Sequence, residues 1–296
     1  MSKLDLRGVF PPMVTPFTDD SKQEVDEERL EEVTSFLLDK GVHGIIPCGG
    51  CGEWLALTEE EQKKIVKITV DKVNGRVPVV AGACSFATKI AVQLAKNAKE
   101  EGADAVMVWT PLPKGQLPPP TEVYEHHCRV ADEANIPVMM YNGTDVYPEV
   151  VEKLVKNSKI VAIKNSTTNM SNCHDLIEIC RRNVAYFQGG GECFLPALKL
   201  GGVGSITGSS NIAPGKHVEL YEAFRRGDIG AAEKLHNKLT VLFSFTHPAV
   251  LKEGLRILGH PVGLARNPGR KEGIYLSDET KNGIRKALRN LGLTKS

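Results

Sequence analysis

Ile160-Val161-Ala162-Ile163-Lys164-Asn165 is a run of four apolar residues that stops on a lysine. The run before it, Pro137-Val138-Met139-Met140-Tyr141-Asn142, has the same build and stops on a tyrosine. Residues 147–157 between them read as a helix. Two apolar runs joined by an amphipathic stretch make a βαβ unit, with parallel strands and a right-handed crossover. Strands buried on both faces read as continuous apolar runs, as these do.

Outward from this unit the pattern repeats. Strand-like runs lie at 8–17, 44–47, 78–83, 105–110, 137–142, 160–164, 185–188 and 202–207, eight in all. Helix-like stretches lie between them at 24–40, 58–73, 87–101, 119–135, 147–157, 171–182 and 192–200. Leu30, Val33, Phe36 and Leu37 keep the spacing of one buried helix face. Thr58-Glu59-Glu60-Glu61 is a capping box that starts the second helix. Gly102 and Gly201 stand where helices should stop. Eight such units need about 250 residues as a closed barrel, and the chain has 296. From residue 214 onward it reads as helix, at 215–226, 229–245, 248–258 and 277–292. The expected fold is therefore α/β, a (β/α)8 TIM barrel over residues 1–213, with C-terminal helices over 214–296 that complete and extend it. An open doubly wound sheet usually has a Gly-rich turn after its first strand. Here that strand runs into Thr15-Pro16-Phe17-Thr18-Asp19-Asp20.

Composition narrows the function. Lys and Arg total 37 against 36 Asp and Glu, which argues against nucleic acid as the main partner. No apolar run approaches the ~20 residues of a membrane helix. The start, Met1-Ser2-Lys3-Leu4-Asp5-Leu6-Arg7, is too polar for a secretory signal. Seven irregularly spaced cysteines fit free thiols in a reducing cytosol, so a cytoplasmic location is expected.

In a barrel of this kind the chemistry gathers at the C-terminal ends of the strands. Those ends are Thr15, residues 49–53, Cys84-Ser85, Thr110, Tyr141-Asn142, Lys164-Asn165, residues 189–192 and Gly208-Ser209-Ser210. They hold one lysine, one tyrosine, no histidine and no aspartate, which argues against a metal-dependent aldolase. A lysine ending a buried run is desolvated, which favours the neutral amine. That amine can attack a ketone to form a Schiff base, an electron sink for a neighbouring bond. An exposed lysine capping a strand fits the position equally well. Tyr141 ends the adjacent strand, within reach of a ligand on Lys164, and a phenol can carry protons. A plain rim aromatic is the competing reading. In Cys48-Gly49-Gly50-Cys51-Gly52-Glu53 the glycines let backbone N–H groups converge on an anion such as a carboxylate. Cys48 and Cys51 form a lone C-x-x-C without the second pair or histidine that a zinc site shows. Gly189-Gly190-Gly191-Glu192 and Gly208-Ser209-Ser210-Asn211 can hold an anion or simply allow tight turns. His126 reads as a helix-face residue rather than a ligand.

Taken in order, these segments resemble the dihydrodipicolinate synthase/N-acetylneuraminate lyase family over nearly the whole chain. Gly8-Val9-Phe10-Pro11-Pro12-Met13-Val14-Thr15-Pro16-Phe17 looks like its opening strand. Gly49-Gly50-Cys51-Gly52-Glu53 is similar to its Gly-Thr-Thr-Gly-Glu segment. Tyr141-Asn142, Ile163-Lys164-Asn165-Ser166 and Gly201-Gly202-Val203-Gly204-Ser205-Ile206 resemble its tyrosine, lysine and last-strand segments. The resemblance implies a class I aldolase-type lyase. It forms or cleaves a C–C bond between pyruvate, or another 2-oxo acid, and an aldehyde. It implies Lys164 as the Schiff-base residue and Tyr141 as the proton carrier. Gly49, Gly50, Cys51 and Ile206 become the substrate-binding set. It also implies no metal, no organic cofactor, and a homotetramer or homodimer.

Several departures bear on the substrate. The family's paired hydroxyls are Gly50 and Cys51 here. Thr110-Pro111 leads into Leu112-Pro113-Lys114-Gly115 where the synthase has tyrosines. Tyr141-Asn142-Gly143-Thr144 replaces Tyr-Asn-x-Pro, and the synthase's arginine after it is absent. These changes point to a sugar acid or related 2-oxo acid as substrate. A Schiff-base dehydratase of a deoxy keto sugar acid, and a 2-oxo acid binder without turnover, remain alternatives.

Overall fold

Each apolar run becomes barrel wall and each amphipathic stretch becomes a covering helix. The computed structural model describes residues 4–111, 118–143, 145–181, 183–266 and 276–294. The loop expected to differ at 112–115, and Thr144, lie outside the described residues. Seven strands, β1 (Gly8–Val9), β2 (Val80–Gly82), β3 (Ala105–Trp109), β4 (Val138–Asn142), β5 (Ile160–Asn165), β6 (Ala185–Gln188) and β7 (Gly204–Ser205), pair in parallel in the order β1-β7-β6-β5-β4-β3-β2.

The two ends of that order are joined by the run expected at 44–47. Ile45 N–H donates to Pro78 O and Val80 N–H to Ile45 O, both at 3.0 Å. On the other side Ile46 N–H donates to Pro11 O at 3.0 Å and Met13 N–H to Ile46 O at 2.9 Å. These parallel bridges close the wall as the expected (β/α)8 barrel. The segment is not a full strand, and the expected 8–17 strand shrinks to Gly8–Val9, because Pro11, Pro12, Pro47 and Pro78 have no N–H for a ladder.

Period-two alternation divides the apolar side chains into two layers. Phe10, Ile46, Val80, Ala105, Met107, Met139, Ala162, Phe187 and Ile206 fill the barrel interior. Val106, Val108, Val138, Met140 and Ile163 face outward into a second layer shared with the helices. That layer is covered by α1 (Glu27–Asp39), α2 (Glu59–Val73), α3 (Thr88–Glu100), α4 (Pro120–Ala134), α5 (Pro148–Leu154), α6 (Met170–Cys180) and α7 (Phe194–Leu200). The capping box at α2 is present. Thr58 Oγ1 accepts from Glu61 N–H at 3.2 Å, and Glu61 Oε2 accepts from Thr58 N–H at 3.0 Å.

After β7, α8 (Pro214–Arg225) packs on β1 and supplies the eighth helix of the wall. α9 (Ile229–Phe243), α10 (Pro248–Ile257) and α11 (Asp278–Asn290) follow. α9 lies on α8, and α10 lies on α11 and on the short 3-10 turn Gly208–Asn211 beyond β7. This brings the C-terminal segment to the end of the barrel where the strands stop.

Candidate active site

One irregularity decides which way Lys164 faces. Val138 pairs with Ile160, but Met139 pairs with Ala162, so β5 carries one extra residue, Val161. Ile160 belongs to the outer layer, and strict alternation from it would turn Lys164 outward as well. The bulge restarts the alternation. Ala162 joins the interior cluster, Ile163 packs outward, and Lys164 faces in above Ala162. Its register partners are Tyr141 on β4 and Phe187 on β6.

Lys164 is 5% exposed, and its Nζ lies 3.8 Å from the centroid of the Tyr141 ring. A ring face attracts an ammonium without forming an ion pair with it. The Tyr141 hydroxyl meets Ser166 Oγ at 3.5 Å, two residues beyond the lysine. Gly189 makes this possible: a Cβ there would come within 2.1 Å of Ser166 Oγ.

An aromatic row forms one wall. Trp109 lies 4.7 Å from Tyr141, Trp54 lies 5.7 Å from Trp109, and Phe86 lies 6.0 Å from Trp54, between ring centroids. A Cβ on Gly50 would meet the Trp109 ring at 3.9 Å, so the glycine loop borders this row. Gly49 sits over Met107 and Ile46 at the top of the barrel interior. Among the described residues the N–H groups of Gly49 and Gly50 donate to no backbone carbonyl. Ile206 is buried in the interior cluster that floors the site.

Cys51 turns its Sγ to the segment after α9, 3.9 Å from Thr246 O. The Cys48 sulfur turns toward Gln62 O at 3.8 Å, so the two thiols of the C-x-x-C do not converge. Burial raises the Cys48 thiol far above its ordinary value, and raises Cys84 to about 12 although Lys164 nearby opposes the shift. Among the described residues no group of three His, Cys, Asp or Glu side chains could hold a metal ion. His126 is buried on α4, with Nδ1 2.9 Å from Thr88 Oγ1.

Two supporting sets lie behind the site. Outward-facing Asn165 donates to Asn172 Oδ1 at 3.3 Å and to the Tyr186 hydroxyl at 3.2 Å. The Tyr186 hydroxyl donates to Gln188 Oε1 at 3.0 Å. This buried network ties the end of β5 to β6 and α6. The second set holds the glycine loop. Glu53 Oε1 pairs with Lys252 Nζ at 2.8 Å, and Glu53 Oε2 accepts from Arg266 N–H at 2.7 Å. Sequence reading passed over Trp109, Lys252 and Arg266, and it quoted Asn165 and Ser166 beside Lys164 without giving either a role. Ser166 and Trp109 adjoin strand-end positions that it did read, and that adjacency was the available signal. Lys252 and Arg266 give no local signal, because their partner lies near the start of the chain.

Comparison with known proteins agrees with this fold. The model of the Dihydrodipicolinate synthetase family matches residues 5–291. The chain is 36% identical over 298 residues to the 4-hydroxy-tetrahydrodipicolinate synthase of Methanopyrus kandleri, covering 97% of each. The crystal structure of dihydrodipicolinate synthase from Aquifex aeolicus superposes with a TM-score of 0.89 at 32% identity, over 97% of this chain and 99% of that one. YagE, a prophage protein of the dihydrodipicolinic acid synthase family from E. coli K12 solved in complex with pyruvate, gives a TM-score of 0.88 at 27% identity, over 97% and 99%. The fold and the sequence agree: the chain belongs to the dihydrodipicolinate synthetase family.

Proposed function

We propose that Lys164 forms the Schiff base and Tyr141 moves the protons in this member of the family. The chemistry is that of a class I aldolase-type lyase, which joins or cleaves a C–C bond between pyruvate and an aldehyde. The observation that carries the assignment is the in-register pair, with Lys164 Nζ 3.8 Å over the Tyr141 ring. In the condensing direction the neutral amine attacks C2 of the 2-oxo acid. The carbinolamine loses its hydroxyl as water and leaves an iminium. Loss of a C3 proton to the Tyr141 side gives the enamine. Its C3 attacks the aldehyde carbon, and the new alkoxide takes up the proton. Water then hydrolyses the iminium and frees the lysine. Cleavage is the reverse.

The 2-oxo acid carboxylate is assigned to the Gly49 and Gly50 N–H groups, with Cys51 completing that loop and Ile206 beneath the methyl carbon. With glycine and cysteine at the family's hydroxyl positions, Ser166 is the hydroxyl that touches Tyr141, and it takes the place of the relay partner. The substrate is a sugar acid or related 2-oxo acid, supported by the loss of the synthase's arginine and tyrosines. A homotetramer or homodimer belongs to the same proposal. Leu55, Phe86 and Ile90, 67%, 47% and 52% exposed beside Trp54, leave apolar surface that a second copy would cover. A cytoplasmic setting also belongs to it; among the described residues no helix is long and apolar enough to cross a membrane.

Borohydride reduction in the presence of pyruvate tests the assignment. A covalent adduct that disappears in Lys164→Ala, together with turnover, is expected. Normal turnover by that variant would overturn it.

A further inference from the structure

The loop that offers its amides to the carboxylate ends on Glu53, a non-glycine residue with φ of 59°. Left-handed backbone at such a residue is strained and persists only where surrounding contacts hold it. The contacts on its carboxylate come from beyond the barrel. Lys252 on α10 pairs with Oε1 at 2.8 Å, with side chains 2% and 0% exposed, and Nζ also donates to Leu264 O at 3.0 Å. The Arg266 N–H donates to Oε2 at 2.7 Å. Arg266 is itself anchored: its guanidinium reaches Glu61 Oε1 and Oε2 at 2.8 Å each, Ala56 O at 3.3 Å and Gln23 O at 2.7 Å. Both cations lie 4.1 Å over the Phe17 ring. Glu53, Ala56 and Glu61 run from the end of the loop into the start of α2, so one C-terminal segment holds the loop where it leaves the site.

We infer that Lys252 and Arg266 are positioning residues for the 2-oxo acid: by fixing Glu53 they aim the Gly49 and Gly50 N–H groups at its carboxylate. The inference rests on the reading of that loop as the carboxylate site. It makes the C-terminal helices part of substrate recognition rather than only a cover for the barrel. A buried Lys–Glu pair stabilises little compared with an apolar pair of the same volume, which favours a geometric role for it.

The test compares two ketones under borohydride trapping on the full chain. Pyruvate carries a carboxylate and acetone does not. The variants are Glu53→Gln/Lys252→Met, which removes both charges together and leaves neither buried alone, and Glu61→Gln, which weakens the anchor of Arg266 while a glutamine can still accept from Thr58 N–H in the capping box. In the double variant the concentration of pyruvate giving half-maximal Lys164 labelling should rise about tenfold, the scale of one charge-assisted contact. Labelling by acetone should change less than about twofold, because acetone gains nothing from that contact. Glu61→Gln should shift pyruvate in the same direction by about threefold, as one weakened contact would. A merely structural role would alter both ketones alike, and an unchanged pyruvate-to-acetone ratio in folded variants overturns the inference alone. Absence of any Lys164 adduct in the wild type overturns the reading of the site and this inference with it.

Discussion

Lys164 and Lys252 are both buried, 5% and 3% exposed, and both lie over an aromatic ring, 3.8 Å from Tyr141 and 4.1 Å from Phe17. What separates them is the next neighbour. Lys252 is 2.8 Å from a carboxylate, and its nitrogen is occupied by Glu53 and Leu264 O. Lys164 has a phenol, a ring face and the mouth of the barrel. Burial depresses Lys252 to about 8, with Glu53 opposing the shift. The Lys252 nitrogen is engaged by a carboxylate and a carbonyl. The Lys164 nitrogen lies over a ring face instead, and it is this lysine that the proposed Schiff base uses.

The largest expected effect that sharpens this contrast is on Lys164. Lys164→Ala should lower turnover by at least ~10³-fold, since the covalent step is lost. Its melting temperature should stay near wild type, because no charge is left unpaired. Tyr141→Phe should lower turnover by about 10²–10⁴-fold, the usual worth of a positioned acid/base group. Turnover within a few-fold of wild type would assign proton transfer elsewhere. Lys252→Met should show the opposite profile. Removing one partner strands a buried Glu53, and denaturant unfolding should report a loss of about 3–5 kcal/mol. The double variant Glu53→Gln/Lys252→Met should recover much of that loss.

Ser166→Ala tests the smaller contact at the phenol. A fall of about tenfold in kcat, with the pyruvate KM little changed, is expected for one hydrogen bond used in the transition state. A separate expectation concerns stability and pH. Burial lowers His126 to about 3, and His127 and His217 each to about 4. The unfolded chain takes up protons at these positions once pH falls below about 6.5, the native chain does not, and stability falls between pH 6.5 and 4. Each histidine contributes about 1.4 kcal/mol per pH unit within that window. Unfolding free energies that stay flat from pH 6.5 to 5 would contradict the buried neutral state of all three.

The contrast between the two lysines also marks how far the sequence could be read. Lys164 was legible because it ends a β-type apolar run next to one that ends on Tyr141, and the barrel makes strand ends meet. The (β/α)8 order was legible for the same reason: both faces of each strand are covered, so the runs are unbroken. The bulge at Val161 was not legible. A continuous apolar run carries no mark of which face each residue takes, and that bulge is what turns Lys164 inward. Lys252 was not legible either. In Pro248-Ala249-Val250-Leu251-Lys252-Glu253 it reads as an ordinary helix lysine, with an acidic residue beside it. Its true partner, Glu53, is brought to it only by closure of the barrel. The Cys48/Cys51 spacing left its role open in the sequence; in the structure the two sulfurs have different partners, Gln62 O and Thr246 O.

The most direct test of the central claim is to trap the protein with pyruvate and borohydride, digest it, and locate the modified lysine by mass spectrometry. The account predicts one modified site, Lys164, with Lys252 unmodified at the same pyruvate concentration. Modification at Lys252, or an adduct that survives in Lys164→Ala, would contradict it.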